Sequence, residues 1–262
     1  MPALLCLVAH PDDETMLCGG TLALLAARGV DVHVVALTRG EGGDMGEPPL
    51  ADREHLGEVR EREMVCAVGK LGGKSLTFLG YVDPTVGEDN KLFAPEHDPT
   101  MLSGQIIASL KQTGAQVLLT HGTNGEYGHP AHKLMHDAVL LAVAALSQEA
   151  AQKGGAGLPG GAAPLVYSFA ATYATHPYPR LSNADDPADV VVDVSPYLEQ
   201  KLAAALCHTT QNALFVRRRS AEAGHTLSVR EVLLPEEAFH RQWPAQPVAG
   251  DPFLQWLNTQ KA

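Results

Sequence analysis

The stretch LLCLVAHPDDE (residues 4–14) decides how this chain folds. Its first six residues form an unbroken apolar run. A strand wetted on one face alternates apolar with polar, whereas an unbroken run suits a strand covered on both faces, as in parallel sheets flanked by helices. The run then discharges into His10, Asp12, Asp13 and Glu14, so an imidazole and several carboxylates crowd one tight turn at the strand's carboxyl end.

Outward from that strand the chain alternates. Residues 19–28 have helical composition and stop at Gly29, 30–37 (VDVHVVAL) read as a second strand, 39–49 as a Gly-rich acidic loop, and 52–71 as a long charged helix. Strands are expected at 76–80, 117–120, 165–172 and 189–194, with helices at 102–113, 131–152 and 196–206. The segment GGAGLPGGAAP (154–164) reads as a loop and not as a domain boundary, because strand text follows it at once. From about 227 a loose C-terminal extension holds a strand and a short final helix. The expected fold is α/β, an open, mostly parallel, Rossmann-like sheet with helices on both faces, in a single domain over 1–262. Ligands of such sheets gather outside the carboxyl ends of the strands, where the acidic turn lies.

Whole-chain composition excludes several classes. With 19 Lys+Arg against 30 Asp+Glu the formal net charge is −11, which argues against nucleic acid as a partner, since affinity for a phosphate backbone needs basic surface. Apolar runs are too short or too broken by charge to suggest a membrane span. The apolar N-terminus lacks the basic region and cleavage site of a signal peptide. Cys6, Cys18, Cys66 and Cys207 are widely spaced with no C-x-x-C, the pattern of buried free thiols in a reducing compartment, so a cytoplasmic location is expected. Loops around an α/β sheet often meet at symmetry axes, so a homo-oligomer fits the pattern.

Bunched like charges at a strand end destabilise the turn unless a cation offsets them, and imidazole with carboxylate suits zinc. His10 and Asp13 can converge on one point, with Asp12 beside a metal-bound water as its base. The competing reading has Asp12 or Asp13 merely capping the helix that follows, and Glu14 steadying the helix start or orienting His10 from behind. A second cluster, HGTNGEYGHPAHKLMH (121–136), follows the strand at 117–120. His129 and His132 flank Pro130, where a helix begins, so both rings can face the mouth of the sheet. One more ligand from here would give three protein ligands and an open position, which distinguishes a catalytic from a structural zinc. Tyr127 can donate to a developing oxyanion or serve as a wall of the pocket. His136 reads as structural, His33 as packing, and His121 as a candidate support.

Together these motifs resemble the LmbE-like, or PIG-L, family of zinc-dependent N-acetylglucosamine de-N-acetylases, which includes deacetylases of mycothiol, bacillithiol and glycosylphosphatidylinositol synthesis. AHPDDE (9–14) is the most specific match, and TRGEGG (38–43), FLGYVD (78–83), GHPAH (128–132) and KLAAALCHTTQ (201–211) extend it along the chain. The resemblance implies one zinc ion per chain, or another divalent metal, on His10, Asp13 and His132. It implies Asp12 as general base, His129 assisting the tetrahedral intermediate and Tyr127 beside the oxyanion. Arg60, Glu41, Asp83 and His208 are then expected as substrate contacts, His208 at the pocket's edge. The implied reaction is hydrolysis of an N-acetyl amide on a small amino sugar or glycoside, releasing acetate and a free amine. One position departs, because the family's aspartate between the paired histidines is Ala131 here. In relatives that carboxylate orients the assisting histidine, so the tautomer of His129 must be set by something else, a backbone carbonyl or another acid. Two alternatives stand beside this reading, a hydrolase of a different small amide using the same site and, motivated by Ala131, a non-catalytic metal- or sugar-binding member. A dinucleotide-binding domain on the same sheet would read G-x-G-x-x-G where this chain reads HPDDE.

Overall fold

Strand β1 (Ala3–Val8) is buried along its whole length and is an interior strand of a seven-stranded sheet. The computed structural model describes residues 1–152 and 163–258, so all but the last two residues of the Gly-rich 154–164 segment lie outside the described residues. The other strands are β2 (Asp31–Thr38), β3 (Ser75–Tyr81), β4 (Val117–Thr120), β5 (Leu165–Phe169), β6 (Ala171–Thr172), β7 (Asn183–Pro187), β8 (Val190–Asp193) and β9 (Glu236–Trp243). The main helices are α1 (Asp13–Ala27), α2 (Leu56–Lys70), α3 (Pro99–Thr113), α4 (Pro130–Gln152), α5 (Leu198–Ala205), α6 (Thr209–Ala223) and α7 (Pro252–Asn258).

The sheet runs β3-β2-β1-β4-β5-β9-β8, with the first five strands parallel and β9 antiparallel to both neighbours. The apolar run of β1 divides its side chains as a strand must. Leu4, Cys6 and Val8 face a core built with α1, α2 and α7, including Leu22, Met64 and Phe253. Leu5 and Leu7 face a second core of Leu102, Ile106, Met135, Val139 and Val143 from α3 and α4. Each such side chain, fully buried, contributes roughly 1.5–3 kcal/mol of hydrophobic stabilisation. By length and composition α4 is apolar enough to cross a membrane, which the reading along the sequence did not anticipate. Here its buried residues pack on α3 and the sheet, and its first turns carry His132 and His136 into the interior.

The expected α/β architecture is the observed one, with three corrections. The presumed loose extension is integral, since β9 lies between β5 and β8 with Ala238 and Phe239 buried. Cys66 and Cys207 are not free thiols but a disulfide joining α2 to the end of α5, while Cys6 and Cys18 remain free and buried. Helix α6 falls where no helix was expected, and its apolar residues are only partly buried, so it lacks the strong stripe that betrays a core-facing helix. Strand order reverses at β1, and the crevice between the carboxyl ends of β1 and β4 is the topological switch point where such folds bind ligands.

Candidate metal centre and active site

Both histidine-carboxylate clusters open into that crevice. His10 leaves β1, and its backbone N–H donates to Asp13 Oδ2 at 2.9 Å. Asp12 occupies the N-cap position of α1 but makes no side-chain cap bond, so the capping alternative fails for it. Its backbone sits at φ 115°, a left-handed conformation that is costly for a non-glycine residue and typical of functional turns. Two groups hold it there. The Asp12 N–H donates to Glu14 Oε2 at 3.0 Å, and Arg60 Nη2 donates to Asp12 Oδ2 at 2.9 Å.

Arg60 also donates to Pro11 O at 2.5 Å and to Gly40 O at 2.9 Å, and it is almost wholly buried. The glycines of TRGEGG make this possible: a Cβ at Gly40 or at Gly43 would lie 2.2 Å from Arg60 Nη1. Arg60 therefore borders the crevice, but its described hydrogen bonds position Asp12 and the loop. Glu41, by contrast, does not line the crevice. Its carboxylate accepts from Arg39 Nε and from the Asp83 N–H at 3.0 Å, which latches the loop carrying Asp83. Asp83 does reach the centre, with Oδ1 3.2 Å from His10 Nε2. His208 is not at the pocket's edge as expected. It is fully buried behind α1, with Nε2 2.9 Å from Glu14 Oε1. Nearby, Glu63 accepts from Thr209 Oγ1, Thr210 N and Thr210 Oγ1, tying α2 to the start of α6.

The second cluster follows β4. His132 Nδ1 lies 2.5 Å from Glu126 Oε2, and its Nε2 is buried with no hydrogen-bond partner, 3.5 Å from Asp13 Oδ1. Glu126 takes two further donors on Oε1, the Gly122 N–H and Asn183 Nδ2, each at 3.1 Å. Its backbone is strained at φ 57°, and Asn183 Oδ1 holds it by accepting the Glu126 N–H at 2.9 Å. Although burial works against the charge, His121 and His132 hold the Glu126 carboxyl well below its usual range, so it stays ionised. A carboxylate behind a histidine, with the far nitrogen left bare, is the arrangement that orients metal-ligating imidazoles.

His121 and His132 form part of one group that could hold an ion with Asp13, and His10, His129 and His132 form another. Hydrogen bonding separates them. The Ala9 N–H donates to His121 Nε2 at 2.9 Å, and His121 Nδ1 faces Glu126 Oε2 at 3.0 Å, so both nitrogens are engaged and His121 serves as support. With His121 engaged, His10, Asp13, His129 and His132 are the donors left around the crevice, with Asp13 Oδ2 3.4 Å from His10 Nδ1. Despite burial, Asp83 and Asp13 carry the His10 imidazole up to about 10. The electrostatics of the crevice thus favour positive charge at that point, and the imidazole-carboxylate donor set with an orphaned His132 Nε2 fits a divalent metal.

His129 caps α4: its Nδ1 accepts the Ala131 N–H at 3.2 Å. This backbone N–H, and not the carbonyl or second acid expected, sets the tautomer in the absence of the aspartate side chain, because an accepting Nδ1 leaves the proton of the neutral ring on Nε2. Burial, with His10 and His132 nearby, lowers the ring to about 3, so it stays neutral. Tyr127 is 45% exposed, with its ring 5.5 Å from that of His132 and 5.7 Å from that of His129. Burial carries the Asp12 carboxyl up to about 7 against the pull of Arg60 and with help from Asp13. Glu126 and Asn183 are the residues a reading of the sequence misses. Glu126 carried a signal, an acid inside a histidine-rich loop, while Asn183 carried none.

Comparison with known proteins bears on what this crevice does. The family model described as PIG-L, GlcNAc-PI de-N-acetylase, matches residues 5–143. A 1D-myo-inositol 2-acetamido-2-deoxy-alpha-D-glucopyranoside deacetylase from Mycobacterium sp. strain JLS is 31% identical over 248 residues, covering 87% of this chain and 80% of that one. A protein of the same description, numbered 3, from Catenulispora acidiphila is 38% identical over 173 residues, which is 58% of this chain but only 46% of that one. Among solved structures, the 4-carboxy-2-hydroxymuconate hydratase GalB of Pseudomonas putida KT2440 has a TM-score of 0.63 at 20% identity, covering 95% of this chain and 99% of that one. The N,N'-diacetylchitobiose deacetylase of Pyrococcus horikoshii has a TM-score of 0.59 at 19% identity, covering 92% and 83%. At these identities the structural likenesses establish a shared fold.

Proposed function

The chain belongs to the PIG-L family, and from that premise we propose that it is a zinc-dependent N-deacetylase acting on the acetamide of a small glucosamine-containing molecule. The observation that carries the proposal is the buried His132 Nε2, held bare by Glu126 beside Asp13 and His10, with Asp12, anchored through Oδ2 by Arg60, lining the same crevice. His10, Asp13 and His132 would hold the cation. When bound, a divalent metal supplies Lewis-acid polarisation of the amide carbonyl and acidifies water.

The chain's own residues supply the proton traffic. Asp12, held through one oxygen by Arg60, takes a proton from the attacking water with the other, and its elevated pKa suits a base working near neutral pH. The His129 Nε2–H donates to the oxygen that becomes negative as the carbonyl carbon turns tetrahedral, and the Tyr127 hydroxyl is the second candidate donor. As the C–N bond breaks, Asp12 returns its proton to the departing nitrogen, leaving acetate and a free amine. The non-catalytic reading rests on Ala131, and the Ala131 N–H that aligns His129 argues against it.

The test is amine release from a panel of N-acetylglucosamine glycosides, with inositol and malate aglycones included, by protein loaded with a defined amount of zinc. Zinc-dependent turnover of at least one member is expected. No turnover on any member, with zinc stoichiometrically bound, would overturn the proposal.

A further inference from the structure

Two cavities meet at the reacting centre, and they differ in chemistry. The larger, about 660 Å³, touches His10 and His129 and has a polar wall that includes Asp44, Arg53, Asp83, Asn90, Gln211 and Arg217. The smaller, about 430 Å³, touches Glu126 and His132 and runs beneath α6, where Met16, Leu17, Val232, Leu234 and Ala238 give it the more apolar wall. Asp12, Asp13, Tyr127, Leu181, Phe215 and Arg218 line both. An amide seated at that junction sends its two substituents into different cavities.

The wall of the smaller cavity also carries charged groups, but most are already paired: Arg219 donates to Glu222 Oε2 at 3.3 Å and the Tyr173 hydroxyl donates to Glu236 Oε2 at 3.2 Å. Lys201 Nζ donates to Glu237 Oε1 at 2.7 Å, and Glu237 accepts the Gly20 and Thr21 N–H groups at 2.8 Å and 2.7 Å, so its charged pair is already satisfied. An acetyl methyl would leave most of this space unfilled. A methylene is about the size of a water molecule, whose share of liquid volume is ~30 Å³, so the cavity has room for a chain on the order of ten carbons.

Resting on the amide hydrolysis proposed above, we infer that the polar cavity takes the amine half of the substrate and the more apolar cavity admits acyl chains longer than acetyl, so that beyond the acetyl compound the chain also hydrolyses medium-chain N-acyl amino sugars, and these faster. Water adds to the acyl carbon, the C–N bond breaks, and the products are the matching carboxylate and the free amine. Burying methylenes in a preformed apolar cavity favours longer chains, by up to about fourfold per methylene.

The test pairs kinetics with binding. N-acetyl-, N-butanoyl-, N-hexanoyl- and N-octanoyl-glucosamine are compared by kcat/KM on the zinc-loaded protein. Binding of octanamide and acetamide is compared by calorimetry on the wild type, on Leu17→Trp from α1 and on Ala221→Trp from α6, two separate walls of the cavity. The inference expects kcat/KM to rise at least tenfold from acetyl to hexanoyl. It expects octanamide to bind at least tenfold tighter than acetamide, with that preference reduced in each folded variant. Turnover of the acetyl compound with loss of the longer ones would overturn the inference and leave amide hydrolysis standing. Octanamide preference that vanishes in both variants, with no amide hydrolysed, would support the apolar cavity and refute the hydrolysis on which its role rests. Equal binding of the two amides in the wild type would overturn the inference outright.

Discussion

Replacing Glu126 by Gln tests the centre where it is least visible from the surface. The carboxylate accepts on both oxygens: Oε2 faces His121 Nδ1 and His132 Nδ1, and Oε1 takes Gly122 N and Asn183 Nδ2. A glutamine has one oxygen and one NH2. Whichever way it turns, its NH2 meets two groups that are themselves donors. Two buried hydrogen bonds are lost at about 1–3 kcal/mol each, partly offset by relaxation, so a loss of roughly 2–4 kcal/mol in stability is expected. That is within what a domain of ordinary stability survives. If His132 escapes by moving its proton to Nε2, it satisfies the new NH2 but blocks the nitrogen that would face the metal. Loss of a carboxylate behind a metal-ligating histidine costs about 10–100-fold in affinity, or roughly 1.4–2.8 kcal/mol. Urea unfolding gives the first quantity and chelator competition for zinc gives the second. A folded Glu126→Gln protein binding zinc within twofold of wild type would refute the assignment of Glu126 as the group that orients His132.

Three further outcomes are expected. Asp12→Asn should keep its zinc but lose turnover by about 10²–10⁴-fold, the range for a general base; a near-normal rate would remove Asp12 from that role. Arg60→Lys keeps the charge but cannot reach Asp12, Pro11 O and Gly40 O together, so kcat should fall by about tenfold or more with KM little changed, and a rise in KM alone would recast Arg60 as a substrate contact. Lys201→Met strips the partner from buried Glu237, and urea unfolding should show a loss of about 3–5 kcal/mol; a loss below ~1 kcal/mol would mean that the Gly20 and Thr21 amides satisfy Glu237 unaided.

How much of this could be read along the chain follows from the range of each interaction. The covered strand at 4–9, its parallel partners and the placing of His10, Asp12 and Asp13 at a strand end are local facts, carried by hydrophobic runs and by residues a few positions apart. The same holds for His129 and His132 around Pro130, because helix geometry puts them on neighbouring turns. What lay beyond the sequence was every contact that closes a long loop. Arg60 reaches Asp12 across 48 positions, Asn183 reaches Glu126 across 57, and His208 reaches Glu14 across 194. His208 showed how such distance misleads, since a polar residue in a matching motif looks like a pocket contact until burial places it behind the helix. The place of strand β9 escaped for a related reason, because an antiparallel strand of mixed polarity declares its position only through β5 and β8. Periodicity and turn chemistry act between neighbours and are legible in one dimension. The partner of a buried charge is chosen by whichever distant group the folded chain brings within hydrogen-bond reach, because an unpaired charge there is too costly to keep.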